Sequence, residues 1–181
     1  MKHILIVIIV IIAVVAGVFL LHKNTQAPSG GPAATVVPAG YKNASYTIDT
    51  KEVTLVNGRA ETEIAPGSAS KLVTQYFGNE ATGDLNGDGV PDVAFLMTQS
   101  GGGSGTFYYV VAALKIANGY QGTNAILLGD RIAPQTTAIN NGEITVNYAD
   151  RKPSDPMTAQ PSVGVSKYFR VENGILVLVN E

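Results

Sequence analysis

The chain contains no cysteine, and its only two histidines, His3 and His22, lie near the amino terminus. The rest of the sequence has neither a thiol nor an imidazole, which excludes Ser-His-Asp catalysis, Cys-His catalysis and zinc sites of the usual Cys/His type. The lack of cysteine also excludes a lipid anchor attached to that residue. Carboxylate, tyrosine or lysine chemistry remains, as does a metal held by oxygen ligands.

Charged residues are few, with 14 acidic and 12 basic side chains in 181 residues. Two of the bases, Lys2 and Lys23, flank the apolar amino-terminal segment, so 14 acids face 10 bases in the remainder. No cluster of lysine or arginine forms a basic patch. We therefore exclude nucleic acid as a partner.

The amino-terminal segment Ile4–Leu21 is an uninterrupted apolar run of 18 residues, long enough to span a bilayer as a helix. The best small-x-small candidate for cleavage, Thr25-Gln26-Ala27, is followed by Pro28, which obstructs cleavage. We therefore predict that residues 1–23 are a transmembrane anchor and prefer it to the alternative, a removed signal peptide.

Residues 24–40 are rich in proline, glycine, alanine, threonine and serine and have almost no charge. Such a composition cannot build a core and is typical of a flexible linker. The sequence thus predicts an anchor, a linker and one domain over residues 41–181, close to the commonest domain size.

Asparagine-glycine pairs occur at four positions in this domain and predict β-hairpins, because both residues tolerate the positive φ angles of tight hairpin turns. Runs of β-branched and aromatic residues flank these pairs, so we predict a mainly β, antiparallel single domain, either a sandwich or a sheet. At most one or two short helices are expected, and residues 70–76 are open to either a helix or a strand. The four pairs are Asn57-Gly58, Asn118-Gly119, Asn141-Gly142 and Asn173-Gly174.

The segment at residues 84–92 reads DLNGDGVPD and places oxygen-bearing side chains at loop positions 1, 3, 5 and 9. Alternate residues of a curled loop can direct oxygen atoms to one cation, and Ca²⁺ prefers several oxygen ligands. Gly89 occupies position 6, where a sharp turn favours a residue without a Cβ. The alternative is a solvated turn without a metal.

An EF-hand would need a bidentate glutamate at position 12, where this chain has Phe95, and helices on both sides of the loop. The run from Gly83 to Ala94 instead resembles the calcium loop of integrin-type FG-GAP repeats, in which the loop leads directly into a strand. The resemblance covers about fourteen residues, and the motif occurs once, which argues against a propeller. It implies Ca²⁺ as the cofactor, with these ligands: Asp84, Asn86, Asp88, the Val90 carbonyl and Asp92.

Calcium is abundant outside the cytoplasm, where modules of modest affinity suffice. We therefore predict a single-pass protein of the cell membrane, with its carboxyl-terminal domain extracytoplasmic, in the periplasm or at the cell surface. The segments Gly105–Val111 and Arg131–Pro134 faintly resemble those of uncharacterised bacterial envelope proteins, a resemblance that implies no activity.

These observations favour a calcium-binding module that is not an enzyme and that binds a protein or glycan partner or has a structural role in the envelope. The alternative is a hydrolase acting on envelope polysaccharide with two carboxylates chosen from Asp130, Glu143 and Asp150. Such a pair must lie about 5 to 10 Å apart across a cleft.

Overall fold

A computed structural model describes residues 40–179, which belong to a unit that spans Val37–Glu181. The predicted anchor at Ile4–Leu21 and nearly all of the predicted linker lie outside the described residues. Between residues 40 and 179, no helix has the length and apolar character needed to cross a membrane.

Residues 40–179 form twelve strands and one short 3-10 turn at Tyr41–Asn43, with no α-helix. The strands, in chain order, are β1 (Ser45–Ile48), β2 (Lys51–Thr54), β3 (Arg59–Glu63), β4 (Lys71–Gly83), β5 (Asp92–Ser100), β6 (Phe107–Ile116), β7 (Gly119–Gly122), β8 (Ile126–Asp130), β9 (Ala133–Asn140), β10 (Glu143–Asp150), β11 (Val163–Glu172) and β12 (Ile175–Leu178).

All pairings between these strands are antiparallel. Strands β3 to β7 form one sheet in sequential order, and β8 joins it by pairing with β6. A second sheet has the order β12-β11-β10-β9, and β1 pairs with β2 in a separate hairpin. The predicted mainly β, antiparallel class is confirmed, and residues 71–76, left open between helix and strand, belong to β4.

The central strand of the larger sheet, β5, is buried on both faces. Side chains of a strand alternate between faces, so Ala94 and Leu96 of β5 pack toward the second sheet while Phe95 and Met97 pack toward the β1–β2 hairpin. Each of these four residues is fully buried. Two apolar cores therefore sandwich β5, which accounts for its continuous run of buried residues.

Three of the four predicted asparagine-glycine turns have positive φ at both residues, at positions 57–58, 141–142 and 173–174. The fourth turn is shifted, because Ile116 pairs with Gly119 and the two connecting residues are Ala117 and Asn118. A further tight turn, Asp49-Thr50, joins β1 to β2 with positive φ at both residues although it contains no glycine.

Candidate metal site in the β4–β5 loop

The candidate loop connects the end of β4 to the start of β5. Gly83 pairs with Asp92 across the two strands, so residues 84–91 leave the sheet and return to the same rung. Gly87 and Gly89 both have φ of +80°, a left-handed conformation that side chains with a Cβ adopt at a cost. These two glycines curl the loop tightly.

Side-chain oxygens of the loop fold back onto its own backbone. Asp84 accepts hydrogen bonds from the Gly87 amide at Oδ1 (2.7 Å) and from the Gly89 amide at Oδ2 (2.9 Å). The Asp88 amide donates to Asn86 Oδ1 (3.0 Å), and the Val90 amide donates to Asp88 Oδ1 (2.7 Å). Each acceptor thus caps an N–H group two to five residues further along the chain, and together these bonds fix the curl.

The electrostatics of the loop favour the charged carboxylate. The Gly89 amide, followed by other backbone N–H groups, lowers the pKa of Asp84 below its usual value, although desolvation opposes the shift. None of the ion pairs formed by residues 40–179 includes Asp84, Asp88 or Asp92. The three loop acids therefore have no neutralising lysine or arginine.

Asp92 differs from the other loop acids because it is fully buried. Its Oδ2 accepts a hydrogen bond from the Leu85 amide (2.9 Å), and its Oδ1 accepts one from the Lys115 amide (2.7 Å). The Lys115 ammonium lies instead over the ring of Tyr120, 4.6 Å from its centroid. Asp92 therefore ties the loop to the end of β6 through backbone donors alone.

The loop also contacts the second sheet. A Cβ placed on Gly83 would lie 2.6 Å from Ile139 Cγ2, so the end of β4 approaches β9 at a distance that only glycine permits. A cavity of about 370 Å³ next to Asp84 is lined in part by Ile139, Asn141 and Gly142. The candidate site therefore lies where the larger sheet meets the β9–β10 turn.

The donor atoms match the chemistry that calcium requires, since all of them are oxygens. A carboxylate offers about four lone-pair sites, and each side-chain oxygen here uses one of them on an amide hydrogen. No hydrogen bond within residues 40–179 reaches the Val90 carbonyl. In the same range no three His, Cys, Asp or Glu side chains lie together as a metal cluster, so the loop carboxylates alone do not form one.

The three acids considered for hydrolysis do not form one group. Glu143 and Asp150 stand at opposite ends of β10, which at about 3.4 Å per residue places them roughly 24 Å apart. Glu143 pairs with Arg170 at 3.1 Å. The Asp150 carboxylate instead lies close to the Gly129-Asp130 segment of β8.

Asp130 is held by its neighbours. It accepts the Thr106 amide at 2.8 Å and pairs with Arg131 at 3.1 Å. Burial raises the pKa of Asp130, but these donors outweigh it and leave the pKa below its usual value. A general acid needs a raised pKa, so this arrangement favours a structural role for Asp130.

A cluster of two tyrosines and one glutamate, beside the 3-10 turn at Tyr41–Asn43, is not indicated by the sequence. The hydroxyls of Tyr41 and Tyr76 both donate to Glu80 Oε2, at 2.6 and 2.7 Å. Desolvation, followed by the Glu80 carboxylate, raises the pKa of Tyr76 to about 12. A bulge at Gly78 and Asn79 in β4 sets this geometry, and no short spacing in the sequence indicates it.

No family model matches the chain, and no curated protein or solved structure is significantly similar to it. The conclusions about this chain therefore rest on its own residues and their geometry.

Proposed function

We propose that the protein is a calcium-binding module of the cell envelope, held to the membrane by its amino-terminal segment, and that it is not an enzyme. The observation that carries the proposal is the hydrogen-bonded curl of residues 84–92, in which alternate oxygen side chains cap the backbone of their own loop. A loop already curled in this way loses less conformational entropy when an ion binds.

Charge supports the same proposal. A divalent cation is attracted to carboxylates that stay charged and have no basic partner of their own. Asp84, Asp88 and Asp92 fall within nine residues and take part in no ion pair of the described chain. Calcium would supply the missing positive charge.

The proposed ligands are the side chains of Asp84, Asn86, Asp88 and Asp92 and the backbone carbonyl of Val90. Calcium accommodates six to eight oxygens in flexible geometry, whereas magnesium demands a near-ideal octahedron and keeps several waters. A loop with this many oxygens should therefore prefer calcium. Because the loop contacts both sheets, bound calcium would stabilise their junction, which suits a structural or ligand-presenting role.

The location is part of the proposal. A protein or glycan partner outside the cytoplasm would meet a domain tethered by residues 24–40 to a span at Ile4–Leu21. Fractionation and protease accessibility on intact spheroplasts test this arrangement. We expect the full-length chain in the membrane fraction with its domain exposed to protease, whereas a soluble mature chain beginning near Pro28 would contradict the anchor.

Isothermal titration calorimetry on the full-length protein in a non-ionic detergent tests metal binding. We expect one calcium site per chain, weaker binding of magnesium, and loss of the calcium heat in Asp84→Asn and in Asp88→Asn. Asp155→Asn is the matched control, because Asp155 is a loop carboxylate that caps only the Lys152 amide. Absence of heat up to millimolar calcium, or equal heat in the loop variants, would contradict the proposal.

A further inference from the structure

Strands β2 and β3 form a fork that opens away from the turn joining them. At the closed end, Val56 and Arg59 exchange two backbone hydrogen bonds of 2.9 and 3.2 Å around the Asn57-Gly58 turn. Beyond that rung the strands separate, because β2 pairs with β1 whereas β3 pairs with β4. Within the described chain, no other rung links β2 to β3.

The separation leaves backbone groups of β2 without strand partners. Successive residues of a strand direct their N–H and C=O groups to opposite edges. The Leu55 amide donates to the Ala44 carbonyl, so odd-numbered residues of this strand face β1. The backbone N–H and C=O groups of Glu52 and Thr54 therefore face the fork, on the same edge as those of Val56.

The same alternation applies to β3. The Tyr76 amide donates to the Gly58 carbonyl, which places Gly58 on the edge that faces β4. The backbone N–H and C=O groups of Arg59 then face the fork, and those of Glu61 and Glu63 lie on the same edge. Two open strand edges thus face the same space, and neither has a strand partner among residues 40–179 on that side.

A groove of about 670 Å³ occupies this space, within the usual range for ligand-binding cavities. Residues 51–53 and 62–64 line its two sides, and Leu72 and Phe107 contribute apolar surface on the sheet. Ile64 and Phe107 remain 51% and 42% exposed, which is high for large apolar side chains. The larger sheet therefore carries an uncovered apolar surface beside the hairpin.

The rim of the groove is acidic. Asp49, Glu52 and Glu63 line it together with a single base, Lys51, and none of the four takes part in an ion pair of the described residues. Glu61, by contrast, is neutralised by Arg59 and Lys71. The groove thus has a net negative charge that is available to a ligand.

We infer that the fork binds an extended, basic peptide segment, which adds a strand between β2 and β3 and places alternate aliphatic or aromatic side chains in the groove. Strand addition satisfies the open backbone edges, apolar side chains cover Ile64 and Phe107, and lysine or arginine complements the acidic rim. This site is separate from the proposed calcium loop and goes beyond the proposed function.

Two other occupants fit less well. A small organic cation would satisfy the rim and the apolar surface but leave the backbone of Glu52 and Glu63 without partners. A second copy of the chain that paired through the same fork would bring two acidic rims together, and like charges facing each other are unfavourable.

Fluorescence anisotropy on the full-length protein in one non-ionic detergent tests the inference. The probe is a labelled hexapeptide that alternates lysine with valine or phenylalanine. Two control peptides are the same sequence N-methylated at alternate residues and a counterpart with glutamate in place of every lysine. Octyltrimethylammonium serves as a competitor. We expect saturable binding of the first peptide, at least about tenfold tighter than that of the N-methylated and acidic peptides, and no competition by the cation below its micellar concentration.

Two kinds of variant locate the binding. Glu52→Lys with Glu63→Lys should weaken binding at least about tenfold, whereas Glu172→Lys, an exposed change at another turn, should not. Thr54→Pro removes an N–H that faces the fork, and edge strands tolerate proline. Thr54→Ala is its control, because both changes remove the hydroxyl contact with Ser45 and only the first removes the amide hydrogen.

Calcium titration of each fork variant shows whether it is folded and separates the two proposals, because the loop is untouched. Absence of saturable binding by the basic peptide would overturn the inference, even if calcium binding is intact. So would equal binding of the N-methylated peptide, equal binding by Thr54→Pro and Thr54→Ala, or sedimentation showing that the fork is covered by a second copy.

Discussion

The β4–β5 loop and the β2–β3 fork both concentrate carboxylates, but they use their backbone in opposite ways. In the loop, Asp84, Asp88 and Asp92 all accept backbone N–H groups, so acids and amides satisfy one another. In the fork, the backbone edges of β2 and β3 that face the groove have no strand partner among the described residues, and the rim acids form no ion pair there. A self-satisfied loop suits a small ion, whereas an open edge suits a chain that brings its own hydrogen bonds.

The largest expected effect concerns the buried acid of the loop. Asp92→Ala removes the acceptor of two backbone donors, and leaves the buried Leu85 amide and the part-buried Lys115 amide without their partner. We expect the free energy of unfolding to fall by about 3 kcal/mol, as measured by urea denaturation followed by circular dichroism.

Asp88→Ala is the matched control, since Asp88 is exposed and its partner amides can reach water. It should cost less than about 1 kcal/mol without calcium. Equal losses in the two variants would show that Asp92 does not hold the loop to β6. The contrast between a loop whose backbone donors are satisfied and a fork whose edges are open would then be wrong for Asp92.

The next effect concerns the contact between the loop and the second sheet. Gly83→Ala places a methyl group against Ile139, and we expect a loss of about 2 kcal/mol in calorimetric melting. Gly164→Ala is the control, because a Cβ there meets nothing within 4 Å. The double variant Gly83→Ala with Ile139→Ala should recover part of the lost stability. If it does not, the contact between residue 83 and Ile139 is not the cause of the loss.

A smaller effect is expected on acid titration. Amide donors hold the folded-state pKa of Asp84 below its usual value of 3.8. A lowered pKa contributes stability that is complete above the unfolded value and is lost as pH falls through the folded one. Calcium-free protein should therefore lose stability below about pH 4.

The Asp84→Asn variant isolates this contribution from the other carboxylates that titrate in the same window. Its urea midpoint, measured from neutral pH to about pH 2.5, should fall less steeply than that of the wild type. Parallel curves would mean that the loop amides do not favour the charged carboxylate.

The smallest effect belongs to the fork. Glu52→Lys places a positive charge opposite Glu63 and should change the free energy of unfolding by no more than about 0.5 kcal/mol, in the stabilising direction. Chemical denaturation without peptide measures it. A loss well above that size would mean that the rim acids support the fold and are not free for a ligand.

Local sequence patterns were enough to predict the hairpin class and the loop's position. The turns at 57–58, 141–142 and 173–174 follow from residues that tolerate positive φ, and the loop's acids alternate within nine residues. Strand β9 is harder to recognise in the sequence, because it contains Pro134 and lacks a clear alternation of apolar residues.

Contacts between distant residues could not be predicted in this way. The Lys115 amide meets Asp92 only because β6 pairs with β5, and Gly83 meets Ile139 only because two sheets stack. The fork likewise depends on β2 and β3 choosing different partners after a turn that predicts a simple hairpin. Local patterns fix turns, whereas strand partners depend on the whole fold.

Amide spectra of the full-length protein labelled with ¹⁵N-glycine test the central claim most directly, because glycines mark both regions. Gly87 and Gly89 lie in the loop, and Gly101 and Gly103 line the fork groove. On calcium titration, we predict that the two loop signals move together and saturate while the two groove signals stay in place. Loop signals that do not move up to millimolar calcium, or equal shifts at all four glycines, would contradict a calcium site at residues 84–92.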